Sequence, residues 1–172
     1  WAYVTEPEPT LNDRRLYFPR GKVLGGSHAI SVMLYNRGDS KDYDANWPDT
    51  WSASDVLPYF IKSESQRSKK RRQDQQQHAA PSTGQSPKQM HGFQGPLAVS
   101  DLATPNPMTT AFVSAGEACG LPQNTDFNDW SRPQNGVGCF QVTQRDGVRE
   151  TPATAYLDPV IRRSNLVVRS GV

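Results

Sequence analysis

The apolar residues of this chain are spaced for helices in three places and for strands in three others. Ser52 or Ser54 is placed to cap a helix whose first turn tolerates Pro58 and whose Val56, Leu57, Phe60 and Ile61 recur at the helical period. Asn106 followed by Pro107 predicts a second helix start, because proline's missing N–H costs nothing at the first helical position. Met108, Ala111, Phe112, Ala115, Ala118 and Cys119 then share one face, which predicts a core position for Cys119, and Gly120 with Pro122 marks the stop. A third helix is predicted from a Thr151 cap and Pro152 through Tyr156, Leu157, Val160 and Ile161 to Arg163. Strand patterns occur at 97–99, 138–144 and 166–168. The mixture predicts an α+β or α/β fold with too few strands to close a sheet by itself.

Between residues 63 and 90 the pattern disappears into Ser, Gln, Lys and Arg, a composition that cannot offset its ordering entropy by burial. The expectation is a disordered polar and basic insertion separating residues 1–62 from 91–172. It holds Arg67, Lys69, Lys70, Arg71 and Arg72, so the formal net charge of +2 comes from one cluster and turns negative without it. Such a run can recruit an anionic partner. No aromatic residues interleave with it as base stacking would require, so no nucleic acid is expected. His78 and His91 flank the Gln/Pro/Ser tract without an adjacent second ligand, and no metal site is expected.

Hydrophobic residues make up 35% of the 172, and no stretch approaches the ~20 apolar residues of a bilayer-spanning helix. Cys119 and Cys139 are too few for a disulfide scaffold. The chain begins at Trp1 rather than Met, with no signal-peptide pattern, and stops within a strand pattern; both ends read as cut from a longer protein.

The chemistry is concentrated between Tyr17 and Gly38. Adjacent Gly25 and Gly26 remove two side chains and permit positive φ, so another molecule can approach the backbone closely. Ser27 and His28 then open an apolar run, 29–35, expected to form a short buried helix whose unpaired N–H groups point back at the turn. That is an arrangement suited to phosphate or developing negative charge. It matches neither the G-x-G-x-x-G fingerprint nor a P-loop, and Gly-Gly-Ser by itself also occurs in ordinary structural turns.

The longer string, Arg20-Gly-Lys-Val-Leu-Gly-Gly-Ser27, then the apolar run, then Tyr35-Asn-Arg-Gly38 and Asp42-Tyr-Asp44, resembles the first signature of the glucose-methanol-choline (GMC) family of FAD-dependent oxidoreductases. The resemblance continues through Trp47 and Trp51, Phe60-Ile-Lys-Ser-Glu64 and Gly92-Phe-Gln-Gly-Pro-Leu97. Further along it takes in Asp126-Phe-Asn128, Gln134-Asn-Gly136, Gln144, Gly147-Val-Arg149, Ala155-Tyr-Leu157 and Arg163-Ser-Asn-Leu166. The wording of residues 1–9, 126–131 and 140–142 is most similar to the algal fatty acid photodecarboxylase branch.

The resemblance implies a partial FAD-binding domain with part of the substrate-side region. Val23, Leu24, Gly25, Gly26 and Ser27 would form the turn around the cofactor, and Ser31, Val32, Met33 and Leu34 would lie beside the isoalloxazine. His28 stands where the family usually has Ser or Thr, and Ser31 where it has Asn. The hydroxyl of Ser31 has lost the amide's pair of donors, and His28 is either a flavin-tuning charge or a partly exposed neighbour of the turn. No catalytic residue is assigned within this chain; the family's proton-handling pair and the cysteine and arginine of fatty acid decarboxylation lie further downstream. Asp126, Asn128, Asp129, Arg149 and Glu150 read as loop caps and surface ion pairs. The implied activity is hydride transfer from an alcohol to flavin, with light-driven fatty acid decarboxylation as the alternative and a non-catalytic partner-binding module as a second. A plastid location is implied only by the algal branch.

Overall fold

The computed structural model describes residues 1–68 and 89–171. They form two compact units, Trp1–Met33 with Thr151–Val172, and Leu34–Glu150, a division that cuts across the 1–62 and 91–172 segments expected from the sequence.

In the first unit, strand β1 (Ala2–Val4) pairs antiparallel with β2 (Tyr17–Pro19), in the register Tyr3 opposite Phe18. Neither strand was predicted. Their side chains remain exposed and are dressed by cations, with the Lys22 ammonium 4.4 Å from the Trp1 ring and the Arg20 guanidinium 4.1 Å from Phe18. The glycine turn follows, and the unit is completed by a π-helical turn, Ala153–Leu157, running into a 3₁₀ turn, Asp158–Val160. Thr151 caps this helix as expected, its Oγ1 accepting the Thr154 amide at 3.2 Å. Residues 166–168 form no strand.

In the second unit, β3 (Leu34–Tyr35) pairs antiparallel with β6 (Gln141–Val142), and β4 (Glu64–Gln66) runs parallel to β5 (Leu97–Val99). Ser100 and Val142 exchange two backbone hydrogen bonds of 2.9 Å, which joins these pairs edge to edge. β7 (Gln144–Arg145) and β8 (Val148–Arg149) form a hairpin turned by Asp146 and Gly147, both at positive φ. Helices α1 (Ser40–Asn46) and α2 (Ala53–Ser63) follow β3. Ser52 and Asp55 close a reciprocal capping box at the start of α2. Pro58 lies beyond the first turn, so α2 forgoes the bond to the Ser54 carbonyl.

Helix α3 (Pro107–Ala118) starts where Asn106 and Pro107 place it, but its orientation reverses the expectation. Gly116 faces Val137, whereas Met108 and Phe112 are about three-quarters exposed and Cys119 lies at the surface. A Cβ at residue 116 would lie 3.0 Å from Val137 Cγ2, so the helix approaches its neighbour on the glycine side. Amphipathic spacing identified the helix; close approach at a small residue chose its buried face.

The first residues of the expected insertion are ordered. Glu64–Gln66 is a buried strand, Ser68 is buried, and the backbone N–H of Arg67 donates to Val99 O at 2.7 Å. The remainder, 69–88, lies outside the described residues. These polar residues are inside because they are paired. The Glu64 carboxylate accepts from the Arg37 guanidinium, from Gln66 Nε2 at 3.1 Å and from the Gly92 amide at 3.2 Å, and it meets His91 Nδ1 at 3.0 Å. On the other side of the imidazole, Nε2 lies 2.9 Å from Asp126 Oδ2. Arg37 also donates to the carbonyls of Met90 and Asn128, and its amide to Asn128 Oδ1 at 2.9 Å. Gly92 is obligatory in this packing, since a Cβ there would collide with the Ile61 carbonyl at the end of α2.

Burial alone would favour a neutral His91, but the hydrogen bonds and charges of Asp126 and Glu64 outweigh it and raise the imidazolium pKa to about 9. A folded-state value above the unfolded value of ~6.5 contributes stability that is complete below that pH and disappears as pH rises through about 9. Urea unfolding followed by tryptophan fluorescence should therefore show stability falling by roughly 3 kcal/mol across this window. Arg37→Met should cost about 3–5 kcal/mol at neutral pH, because it strands the Glu64 charge.

Candidate flavin-binding lip

The predicted site residues from Val23 to Met33 share one short stretch of the first unit, whereas Leu34 opens β3 in the second. Gly25 has φ +89° and Gly26 +61°, conformations that disfavour any residue with a Cβ. A Cβ on Gly25 would sit 3.3 Å from Thr151, while one on Gly26 would meet nothing within 4 Å. Gly26 is thus open toward the outside of the turn. Gly21, which the sequence reading did not nominate, closes the turn from below: a Cβ there would strike the Gly26 carbonyl, and its amide donates to Ser27 Oγ at 3.2 Å.

The short buried helix expected over 29–35 does not form. Instead a five-residue 3₁₀ helix spans Gly26–Ile30 with no buried residue, and Ser31 is extended. Met33 follows at φ +64°, a left-handed conformation that costs a non-glycine residue about 1 kcal/mol or more. Ser31 supports that bend, its Oγ accepting the Met33 amide and donating to the His28 carbonyl, both at 3.2 Å. A 3₁₀ helix this short carries little macrodipole, so anion binding at its start is not what this segment offers. It offers an open backbone edge at Gly26 and a row of exposed apolar side chains: Val23, Leu24, Ile30 and Val32 are each at least 54% accessible. His28 is half-buried beside the turn.

A bare glycine and exposed aliphatic side chains suit a flat, largely apolar ring system with a polar rim, which the isoalloxazine of FAD is. The strand carrying Leu34, 53% exposed, is backed by Asn128, whose Nδ2 donates to Tyr35 O at 3.1 Å and to Gln141 Oε1 at 2.7 Å. Asp126 and Asn128 do cap their loop, since Asp126 accepts the Asn128 amide at 3.0 Å, but they do so inside the unit rather than on its surface. Asp129 pairs with Arg132, and Glu150 with Arg145 at 2.7 Å. Local spacing could not identify the partners of His91, which lie 27 and 35 residues away. Among the described residues no group of three or more His, Cys, Asp or Glu is placed to hold a metal ion.

The chain belongs to the GMC oxidoreductase family, whose N-terminal model matches residues 7–172. It is 37% identical over 171 residues to the chloroplastic fatty acid photodecarboxylase of Chlamydomonas reinhardtii, covering 99% of this chain and 25% of that protein. It is 40% identical over 170 residues to an alcohol dehydrogenase [acceptor] of Pseudomonas putida, covering 96% and 27%. The crystal structure of pyridoxine 4-oxidase from Mesorbium loti superposes with a TM-score of 0.78 at 30% identity, over 99% of this chain and 31% of that one. The chain therefore spans about a quarter of the length of the curated relatives it matches.

Alanine at the three glycines should destabilise in the order Gly21, Gly25, Gly26. The first forces backbone apart, the second combines positive φ with the Thr151 contact, and the third costs only its conformational penalty of about 1 kcal/mol. Thermal unfolding midpoints of the three variants check the ranking.

Proposed function

We propose that this chain forms the flavin-side part of an FAD-dependent enzyme that oxidises a CH–OH donor by hydride transfer. The observation that carries the reading is the open backbone at Gly26 with exposed aliphatic residues before and after it, in a chain matched to the GMC family over nearly all its length. FAD, when bound, supplies the hydride acceptor. The residues of this chain bind and orient: Val23, Leu24, Gly25, Gly26 and Ser27 as the turn, His28 at its flank, and Ser31, Val32, Met33 and Leu34 as the edge along the ring. Ser31 acts through its hold on the Met33 bend rather than as a replacement amide. The Pseudomonas putida relative, an alcohol dehydrogenase by name, favours an alcohol as the small-molecule substrate.

The identity to the Chlamydomonas reinhardtii relative supports a second reading, light-driven decarboxylation of a fatty acid on the same fold. Recruitment of an anionic partner by the basic cluster has less support, because Arg67 sits at the end of a buried strand and the cluster's other four cations lie outside the described residues.

Gly26→Asn separates cofactor binding from folding, because asparagine tolerates left-handed φ and a Cβ at this position meets nothing within 4 Å. The variant of the intact protein should unfold near the wild-type temperature yet bind FAD at least roughly tenfold more weakly, a loss of ~1.4 kcal/mol. Undiminished flavin content would contradict the proposed lip. Anaerobic mixing with primary alcohols should bleach the oxidised flavin in the dark; bleaching absent with alcohols, together with carbon dioxide release from fatty acid only under blue light, would establish the second reading instead.

A further inference from the structure

We propose that His91 is a positioning residue for the flavin-facing strand β3, a buried imidazolium whose two N–H bonds hold that strand in register from two directions. The proposal rests on the flavin reading above and adds to it a proton on which the geometry of the edge depends.

Two hydrogen-bond routes leave the ring and converge on Tyr35 and Arg37. From Nδ1 the route passes through Glu64 to the Arg37 guanidinium, whose Nε reaches Tyr35 OH at 3.4 Å. From Nε2 it passes to Asp126, whose other oxygen accepts the Asn128 amide. Asn128 grips both ends of the segment, donating to Tyr35 O at 3.1 Å and accepting the Arg37 amide at 2.9 Å. Tyr35 directly follows Leu34, the proposed flavin contact of this unit. The charged groups facing the ring from the elements packed around it are Glu64 on β4 and Asp126 in the loop before β6, with Arg37, just after β3, on the far side of Glu64.

The requirement for a proton is geometric. Each ring nitrogen faces a carboxylate, and a neutral imidazole has only one N–H. Deprotonation therefore turns a lone pair toward Glu64 or toward Asp126, and either choice loosens one route to Tyr35 and Arg37. The side chain is 11% exposed and both acceptors are at least as buried, so water cannot readily replace the lost bond. The raised pKa of about 9 agrees with this picture, keeping the proton through neutrality and releasing it only in alkaline solution.

The test is a pH titration of the intact, flavin-loaded protein between about pH 6 and about pH 10, read by visible circular dichroism of the flavin. Alongside it, the apoprotein is read by NMR of the His91 imidazole, the Arg37 amide and the Trp130 indole N–H, which donates to the Gly38 carbonyl. A common inflection near 9 is expected in all four signals. In His91→Gln it should vanish from the flavin signal, and in Asp126→Asn, which retains the histidine should the first variant fail to fold, it should move to lower pH. An imidazole that titrates at its ordinary value, or an Arg37 amide indifferent to the His91 transition, would overturn the proposal. So would bound flavin whose spectrum ignores that transition. A protein that takes up no FAD, while the Arg37 amide still follows His91, would instead overturn the flavin reading beneath it.

Discussion

The second unit depends on one buried carboxylate. Glu64 has no solvent exposure, and removing such an ion from water costs several kcal/mol unless charge and hydrogen bonds replace the hydration. Here the replacements come from Arg37 after β3, Gln66 within β4, and His91 and Gly92 on the approach to β5. All of these segments must be in place together for the charge to be tolerated. The buried apolar residues described in this unit, Leu57, Ala98, Val99, Val137 and Val142, are few and mostly small. The polar network therefore determines which segments meet, while the apolar residues fill the space around it.

That constraint links packing to the site. Arg37 is pinned at its backbone by Asn128 and at its guanidinium by Glu64, so the strand leading into it has little freedom. Around it, Tyr43 OH donates to the Arg37 carbonyl at 2.8 Å, and Tyr43 lies among Trp47, Phe60 and Trp130 with ring centroids 5.3–6.2 Å apart. The Phe60 ring lies 5.5 Å from the Arg37 guanidinium and covers the ion pair on this flank. In the first unit the logic differs: the turn is shaped by backbone alone, with Gly21 under Gly26 and Gly25 against Thr151. Within the second unit the segment after Leu34 is thus held by charge, and within the first the turn is shaped by the absence of side chains.

Legibility in the sequence followed the range of the interactions. The capping box at Ser52 and the Asn106-Pro107 start were readable because a cap and its target lie within a few residues of each other. So was strand 97–99, bounded by Gly95-Pro96 and β-rich in composition. The glycine turn was readable as a motif, but the structure behind it was not: a seven-residue, mostly apolar run suits a strand as well as a helix, and the left-handed Met33 divides it. The face of α3 was misjudged because its apolar stripe is the exposed one, and only Val137, 21 residues downstream of Gly116, reveals which side is covered. Glu64 and Gln66 fall in the tract expected to be disordered because hydrophilic composition looks the same whether a residue is solvated or paired inside. His91 lies 27 residues from Glu64 and 35 from Asp126, beyond any local pattern.

The central claim, that the Gly25–Gly26 turn and the edge running to Leu34 lie against a flavin, is tested most directly by amide hydrogen exchange of the intact protein with and without FAD. The account predicts that FAD slows exchange at residues 25–34 while leaving α3 unchanged. Saturating FAD that protects other segments and leaves residues 25–34 exchanging as in the apoprotein would contradict it.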